Sequence, residues 1–119
     1  MGGRYRKNVG DWGENTAVDF LLRRGFSIIE RNFQTTQGEI DIVAKHGDDY
    51  YFVEVKTRRQ NFLANDLAIS GIKKQRLEKA VKSYCYRRDI KNVGLILVGM
   101  IILVNKIKKT VSIRYAIMR

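Results

Sequence analysis

The sequence predicts a mixed α/β domain, a central sheet flanked by helices with the element order α-β-β-β-α-β-β. Three observations predict it. Apolar residues recur at helical spacing in two stretches, 8–24 and 71–88. Five further stretches alternate, or run apolar, over strand lengths. Polar, mostly glycine-containing turns divide them in a chain that has no proline. With 119 residues, 45% of them hydrophobic, one core and one domain are expected. Residues 1–7 read as a flexible basic tail, and residues 8–119 as the domain.

The first helix is expected from near Asn8 to Arg24. Val9, Trp12, Ala17, Phe20 and Leu21 form its apolar stripe, and Gly25 suits its stop. Phe26 to Phe33 reads as a strand, with Phe26, Ile28 and Ile29 as its apolar residues, and Gln34 to Gly38 as a polar turn. Glu39 to Lys45 alternates, with Ile40, Ile42 and Ala44 on one face and Glu39, Asp41 and Val43 on the other. After a turn at His46-Gly47-Asp48-Asp49, Tyr50 to Thr57 alternates again, with Tyr51, Val53 and Val55 opposite Phe52, Glu54 and Lys56. Arg58 to Ser70 carries a weaker pattern and reads mostly as loop. The second helix spans Gly71 to Arg88, with Ser70 as its N-cap and Leu77, Ala80, Val81, Tyr84 and Cys85 as its apolar stripe. Val93 to Val104 is a long strand, Asn105 to Thr110 a basic turn, and Val111 to Met118 a closing strand.

Charge narrows the class of partner. Lys and Arg number 23 against 12 Asp and Glu, a net charge of +11. Such a field concentrates polyanions around the molecule. Nucleic acid, an anionic membrane surface and acidic protein all satisfy it. Cys85 is the one cysteine and His46 the one histidine, so neither a disulfide framework nor a zinc set can be assembled within the chain. A cytoplasmic setting is expected. The longest apolar run, Val93 to Val104, is well short of the roughly 20 residues that span a bilayer, so it reads as buried strand and no membrane span is expected.

Folding 39–45 onto 50–57 as a hairpin about Gly47-Asp48 sets Asp41 across from Glu54, and Glu39 across from Lys56. Opposed side chains in an antiparallel pair lie about 4.5–5.5 Å apart at Cβ, where like charges repel. A divalent cation removes that cost, because Mg²⁺ takes oxygen ligands and uses one or two carboxylates plus water as its protein share. Lys56 then supplies an amine beside the carboxylates, able as the ammonium to orient water or stabilise charge on a phosphate, and as the free amine to help deprotonate water. These are the parts of phosphodiester hydrolysis. A solvated ladder of Glu39, Lys56 and Glu54 ion pairs accounts for the same residues without chemistry.

Other blocks carry a resemblance. Gly10-Asp11-Trp12-Gly13-Glu14-Asn15-Thr16-Ala17, Leu21, Gly25-Phe26 and Arg31-Asn32 resemble the opening of the YraN-like family of predicted bacterial endonucleases. Gly38 to Val43, and Phe52-Val53-Glu54-Val55-Lys56-Thr57-Arg58, look like its two central blocks, and Lys73 with Tyr84 resembles its downstream helix. The family is similar to Holliday-junction resolvases and to the PD-(D/E)XK nucleases. The resemblance implies a restriction-endonuclease-like fold and a metal-dependent endonuclease acting on branched or repair-intermediate DNA. It implies Mg²⁺ or Mn²⁺ held by Asp41, Glu54 and the Val55 carbonyl, with Glu14 acting on a second metal or through water. Asp41, Glu54, Lys56 and Glu14 would be the catalytic set, and a homodimer is compatible. Where the family shows an Arg-Phe-Asp block after the second helix, this chain has Asn92-Val93-Gly94.

Helix 71–88 carries Lys73, Lys74, Arg76, Lys79, Lys82, Arg87 and Arg88 against the single acid Glu78. With Arg58, Arg59 and the turn Lys106-Ile107-Lys108-Lys109, this basic surface is expected to track phosphates. Trp12, Tyr50 and Tyr51 are able to stack on bases, and equally to pack in the core. Because fold does not guarantee activity, a catalytically weak or inactive nucleic-acid-binding module on the same fold is the alternative. A basic protein docking on ribosomal RNA or membranes is a third reading.

Overall fold

The computed structural model describes residues 2–59 and 71–118, with side chains from Gly10 onward in the first helix and from Lys73 onward in the second. The elements are α1 (Gly2–Arg23), β1 (Ser27–Thr35), β2 (Gly38–His46), β3 (Asp49–Arg59), α2 (Gly71–Arg88), β4 (Leu95–Asn105) and β5 (Thr110–Ile117). The expected order holds. The strands form one five-stranded sheet in the order β1-β2-β3-β4-β5. β3 and β4 are parallel and the other pairs antiparallel. This is a mixed sheet flanked by helices, consistent with a restriction-endonuclease-like fold.

Neighbouring strand residues point to opposite faces, so Phe52 and Val53 mark the two sides of the sheet. Val53 packs with Ala17 and Leu21 of α1, and with Ile42, Ala44, Val98, Met100 and Ile102. Phe52 packs with Leu77, Ala80, Val81 and Tyr84 of α2, and with Phe33, Ile40 and Val43. The two helices therefore cover opposite faces. The α2 stripe is the one the periodicity predicts, with Cys85 packed at its margin.

Each described helix ends in the same way. Phe26 N donates to Leu21 O (3.0 Å) and Gly25 N to Leu22 O (3.1 Å), with Gly25 at φ 88°. This double bond with a left-handed residue is a Schellman stop, and Phe26 folds back on the α1-side core. At the end of α2, Ile90 N donates to Cys85 O (2.9 Å) with Asp89 at φ 53°.

Four expectations are corrected. α1 begins at Gly2 rather than near Asn8, so 2–7 continue the helix where a tail was expected. Arg4, Arg6 and Lys7 are good helix formers and no proline blocks them. Trp12 is 42% exposed instead of lying in the α1 stripe. Buried Gly13 takes the sheet-facing place, in line with Ala17 and Leu21 at four-residue intervals, and this rotates Trp12 outward. Ile29 is also turned out, by a bulge between Ile28 and Glu30 in the β1–β2 pairing. Finally, Ile40 packs on the opposite face from Ile42 and Ala44, because the pleat breaks beside Asn32 of β1. The Arg58 to Ser70 loop, apart from Arg58 and Arg59 at the end of β3, lies outside the described residues, as do the Ser70 cap, the first residue of the tail and the Val9 side chain.

Candidate active site

Pairing of β2 with β3 runs from His46–Asp49 to Ile42–Val53, the register the hairpin argument requires. Continued by one residue, it sets Asp41 at the level of Glu54. There the ladder gives way to a side-chain contact: Val55 N donates to Asp41 Oδ2 at 2.7 Å. Asp41 is thus held by the backbone of the strand that carries Glu54 and Lys56.

The other edge of β2 is irregular at the same level. Arg31 pairs with Ile42 and Phe33 with Ile40, while Asn32 between them adopts φ 55°. A left-handed residue inside a strand breaks the pleat. Alternation is lost across it: Ile42 faces the α1-side core but Ile40 the α2-side core. Glu39 is carried away from its expected neighbour Lys56 and towards α1. With the amide oriented to satisfy both acids, Asn32 Nδ2 donates to Glu39 Oε1 (2.8 Å) and to Glu14 Oε1 (2.9 Å).

Glu14 arrives from α1. A Cβ on Gly13 would collide with Thr57 Oγ1, so, opposite this threonine, glycine lets the helix lie close to β3. Arg31 anchors the same turn, donating to Asn15 Oδ1 (2.9 Å) and lying 3.8 Å from Glu14 Oε1. Lys56 Nζ lies 3.8 Å from Glu54 Oε1.

The electrostatics follow from this crowding. Burial pushes Asp41 from 3.8 up to about 6; the Val55 N–H opposes the rise, while Glu39 and Glu54 add to it. Glu14 is raised from 4.5 to about 7 by desolvation and by Asp41, with Glu39 and Asp11 adding and Arg31 opposing. Lys56 is held below the usual lysine range, first by the hydrogen bond it shares with Lys73 of α2 and then by burial. Asp41 is the common neighbour that feels Glu39, Glu54 and Lys56 and in turn raises Glu14.

Among the described residues, no three His, Cys, Asp or Glu side chains close a metal shell by themselves. The donor set still suits a hard divalent cation. It is all oxygen, its acids repel one another, and Asp41 can coordinate through Oδ1 while Oδ2 keeps its bond to Val55. Mg²⁺ needs only one or two such carboxylates, with water filling the rest.

The basic residues divide into two groups. Arg59, Lys73, Arg76, Lys79 and Lys82 are exposed. Lys74 is half-buried and pairs with Glu78 (3.9 Å), and half-buried Arg58 donates to Thr57 O (2.9 Å). Arg87 and Arg88, expected on the free surface, instead tie α2 to β1. Arg88 makes a forked pair with Glu30 (3.0 and 2.7 Å) and lies over the Phe33 and Tyr84 rings. Arg87 donates to Gln34 O (3.3 Å) and also lies over Phe33. Tyr50 and Tyr51 pack against the α2-side and α1-side cores.

Sequence reasoning missed the roles of Asn32 and Arg31, and the pairing of Glu39 with Glu14. The available signal was an asparagine in the middle of a strand, a residue type that tolerates the left-handed region. In the departing block 92–94, a Cβ on Gly94 would strike the Asp49 carboxylate, and Gly94 O accepts the Tyr50 N–H at 2.8 Å. An aspartate there would meet a like charge.

Residues 13–98 match the model of Uncharacterised protein family UPF0102. A UPF0102 protein of Caldicellulosiruptor saccharolyticus is 40% identical over 88 residues, 73% of this chain and 75% of the relative. One from Dictyoglomus thermophilum is 43% identical over 79 residues, 66% of this chain and 67% of the relative. UPF0102 protein CPE1705 of Clostridium perfringens is 37% identical over 90 residues, 75% of this chain and 74% of the relative. The matched segment runs from the glycine that seats α1 to the middle of β4, so it contains Glu14, Asn32, Asp41, Glu54 and Lys56. The chain belongs to the UPF0102, or YraN-like, family.

Proposed function

We propose that the protein is a metal-dependent endonuclease that hydrolyses phosphodiester bonds in nucleic acid, with branched or repair-intermediate DNA as the substrate class. The observation that carries the reading is Asp41 held by the Val55 N–H at 2.7 Å on the strand that bears Glu54 and Lys56, with Glu14 and Glu39 bridged by Asn32 and acting on it electrostatically. Mutually repelling, partly desolvated carboxylates are concentrated at functional sites. Asp41, Glu54 and the Val55 carbonyl would hold Mg²⁺ or Mn²⁺, with Glu14 reaching it directly or through water. Such an ion supplies Lewis-acid stabilisation of the phosphoryl oxygens and acidifies its water.

The protein's own residues have separable tasks. The Val55 N–H fixes Asp41 Oδ2 and so orients its carboxylate. Asn32 keeps Glu14 and Glu39 together. Lys56, its proton loosened by Lys73 and by burial, is suited to accept a proton from the attacking water or to neutralise a phosphate oxygen. Lys73, Arg76, Lys79 and Lys82 on α2, with Arg58, Lys74 and Arg59, would hold the phosphate backbone without reading sequence.

Calorimetry with Mn²⁺ tests this. The wild type is expected to bind, and Asp41→Ala and Glu54→Ala to lose binding; equal binding by all three ends the enzyme reading. Cleavage of branched, flapped, single-stranded and duplex substrates, with Lys56→Ala as control, then identifies the substrate. A second reading, a nucleic-acid-binding module with little or no catalysis, is favoured by the exposed basic face of α2, which needs no metal. It predicts DNA binding that is indifferent to divalent cations and to Asp41→Asn.

A further inference from the structure

The turn joining β4 to β5 consists of Lys106, Ile107, Lys108 and Lys109, closed by the Asn105–Thr110 pair. Its conformation is fixed from within. Asn105 Oδ1 accepts the N–H groups of Ile107 (3.1 Å) and Lys108 (2.9 Å), and Lys109 adopts φ 53°. Asparagine in this role and one left-handed residue are the ordinary chemistry of a tight turn. An isoleucine at its tip is not. Ile107 is 94% exposed, flanked by lysines that are exposed as well.

The fold also sets where this tip stands. β3 and β4 run in parallel, with Glu54 beside Gly99, Lys56 beside Ile101 and Arg59 beside Val104. Both strands lead from the candidate active site towards the turn, passing Arg58 and Arg59. At a rise of about 3.3 Å per residue, Gly99 to Asn105 covers roughly 20 Å. A duplex advances about 3.4 Å per base pair, so that distance equals about six base pairs.

We propose that Ile107 is a wedge that enters a base step of bound DNA about six base pairs from the phosphate at the active site, while Lys106, Lys108 and Lys109 hold the flanking phosphates. Apolar side chains set among cations act this way in proteins that kink or open a duplex. The proposal rests on the nucleic-acid reading above. A membrane surface would attract the same charges, but one isoleucine offers too little apolar area to hold a protein on a bilayer. The alignment with Lys56 and Arg58, two residues apart on one strand, belongs to a single polyanion running along the sheet.

The experiment uses the full chain and duplexes with 2-aminopurine at successive positions, without divalent cation so that the strands stay intact. Anisotropy reports binding and 2-aminopurine fluorescence reports unstacking. Wild type is expected to bind and to raise fluorescence over one or two adjacent steps. Ile107→Leu should keep that rise and Ile107→Ser lose it, with binding and its salt dependence retained, and the exposure of the side chain means both variants fold. Binding with no rise at any position, or a rise that survives Ile107→Ser, overturns the wedge and leaves the nuclease reading intact. Failure to bind any DNA overturns both. Binding to phosphatidylserine vesicles that Ile107→Ser abolishes, with no unstacking of DNA, overturns the assignment to nucleic acid.

Discussion

Asp41 Oδ2 accepts the Val55 N–H at 2.7 Å, one residue beyond the last backbone pair of β2 with β3. A side chain has replaced a rung of the ladder. The bond both satisfies a partly buried donor and aims the carboxylate at the strand that bears Glu54 and Lys56. Asparagine keeps an oxygen for that bond and discards the charge; alanine leaves Val55 N–H without its partner, a cost of about 1–3 kcal/mol. In metal-free buffer at neutral pH, Asp41→Asn is therefore expected to equal or exceed wild type in stability, and Asp41→Ala to fall below Asp41→Asn by about that amount. Urea unfolding checks it. A fall of the same size in both variants would show that the charge, not the acceptor, stabilises the fold.

The raised carboxyl groups make stability depend on pH with a definite sign. Asp41 titrates at about 6 and Glu14 at about 7 in the folded chain, against ordinary values of 3.8 and 4.5. Between these limits the folded state binds more protons than the unfolded one, so stability falls as pH rises. The contribution is complete below the unfolded values and lost as pH climbs through the folded ones. Melting temperatures of metal-free protein are expected to drop from pH 5 to pH 8. Glu14→Gln should flatten the upper part of that slope and Asp41→Asn the lower part, while Mn²⁺ should restore wild type at pH 8. A melting temperature that rises over this range would contradict the crowding of the acids.

Much of this centre was legible in the sequence because strand geometry is short-range. A two-residue period and a four-residue turn centred on Gly47-Asp48 suffice to bring Asp41 level with Glu54 and to put Lys56 beside it. The α2 face followed in the same way from Leu77, Ala80, Val81 and Tyr84. What could not be read depends on fit between distant segments. Ile40-Asp41-Ile42 looks like regular alternation, and nothing local says that Asn32 on the neighbouring strand will break it. Trp12 outranks Gly13 in any hydrophobic pattern, yet Thr57 requires the glycine. Arg87 and Arg88 look like free surface charges until β1 supplies Glu30, Gln34 and Phe33.

Asn32 combines a left-handed backbone with an amide that bridges two acids, and the two roles can be separated. Glycine tolerates the backbone but offers no bridge, whereas alanine loses both. Stability is expected to follow wild type, then Asn32→Gly, then Asn32→Ala, the last step costing about 1 kcal/mol for a strained φ. Mn²⁺ affinity should fall alike in both variants if the amide organises Glu14. Undiminished affinity in Asn32→Gly would reduce Asn32 to a backbone device.

Gly13 and Thr57 make a second separable pair. In an isolated helix, glycine to alanine gains up to about 1 kcal/mol. Here the new methyl meets Thr57 Oγ1, so Gly13→Ala is expected to destabilise by about 1–3 kcal/mol and to displace Glu14. Thr57→Ala removes the obstructing atom, and the double variant should recover stability and Mn²⁺ affinity together. Recovery of neither would mean that the backbone, not the hydroxyl, limits the approach of α1.

The basic residues of α2 are expected to respond to mutation in two opposite ways. Lys79 and Lys82 are exposed. Alanine at either should leave the melting temperature unchanged, weaken DNA binding and lower the slope of log affinity against log salt by about 0.9 for each phosphate no longer neutralised. Arg88 spends its guanidinium on Glu30 and on the Phe33 and Tyr84 rings. Arg88→Ala should lower the melting temperature and leave the salt slope where it was. All are cations on one helix, so binding of DNA through net charge alone predicts equal slopes for Arg88→Ala and Lys82→Ala. Unequal slopes require that the phosphates lie along the exposed middle of α2, on the side away from the β1 contact.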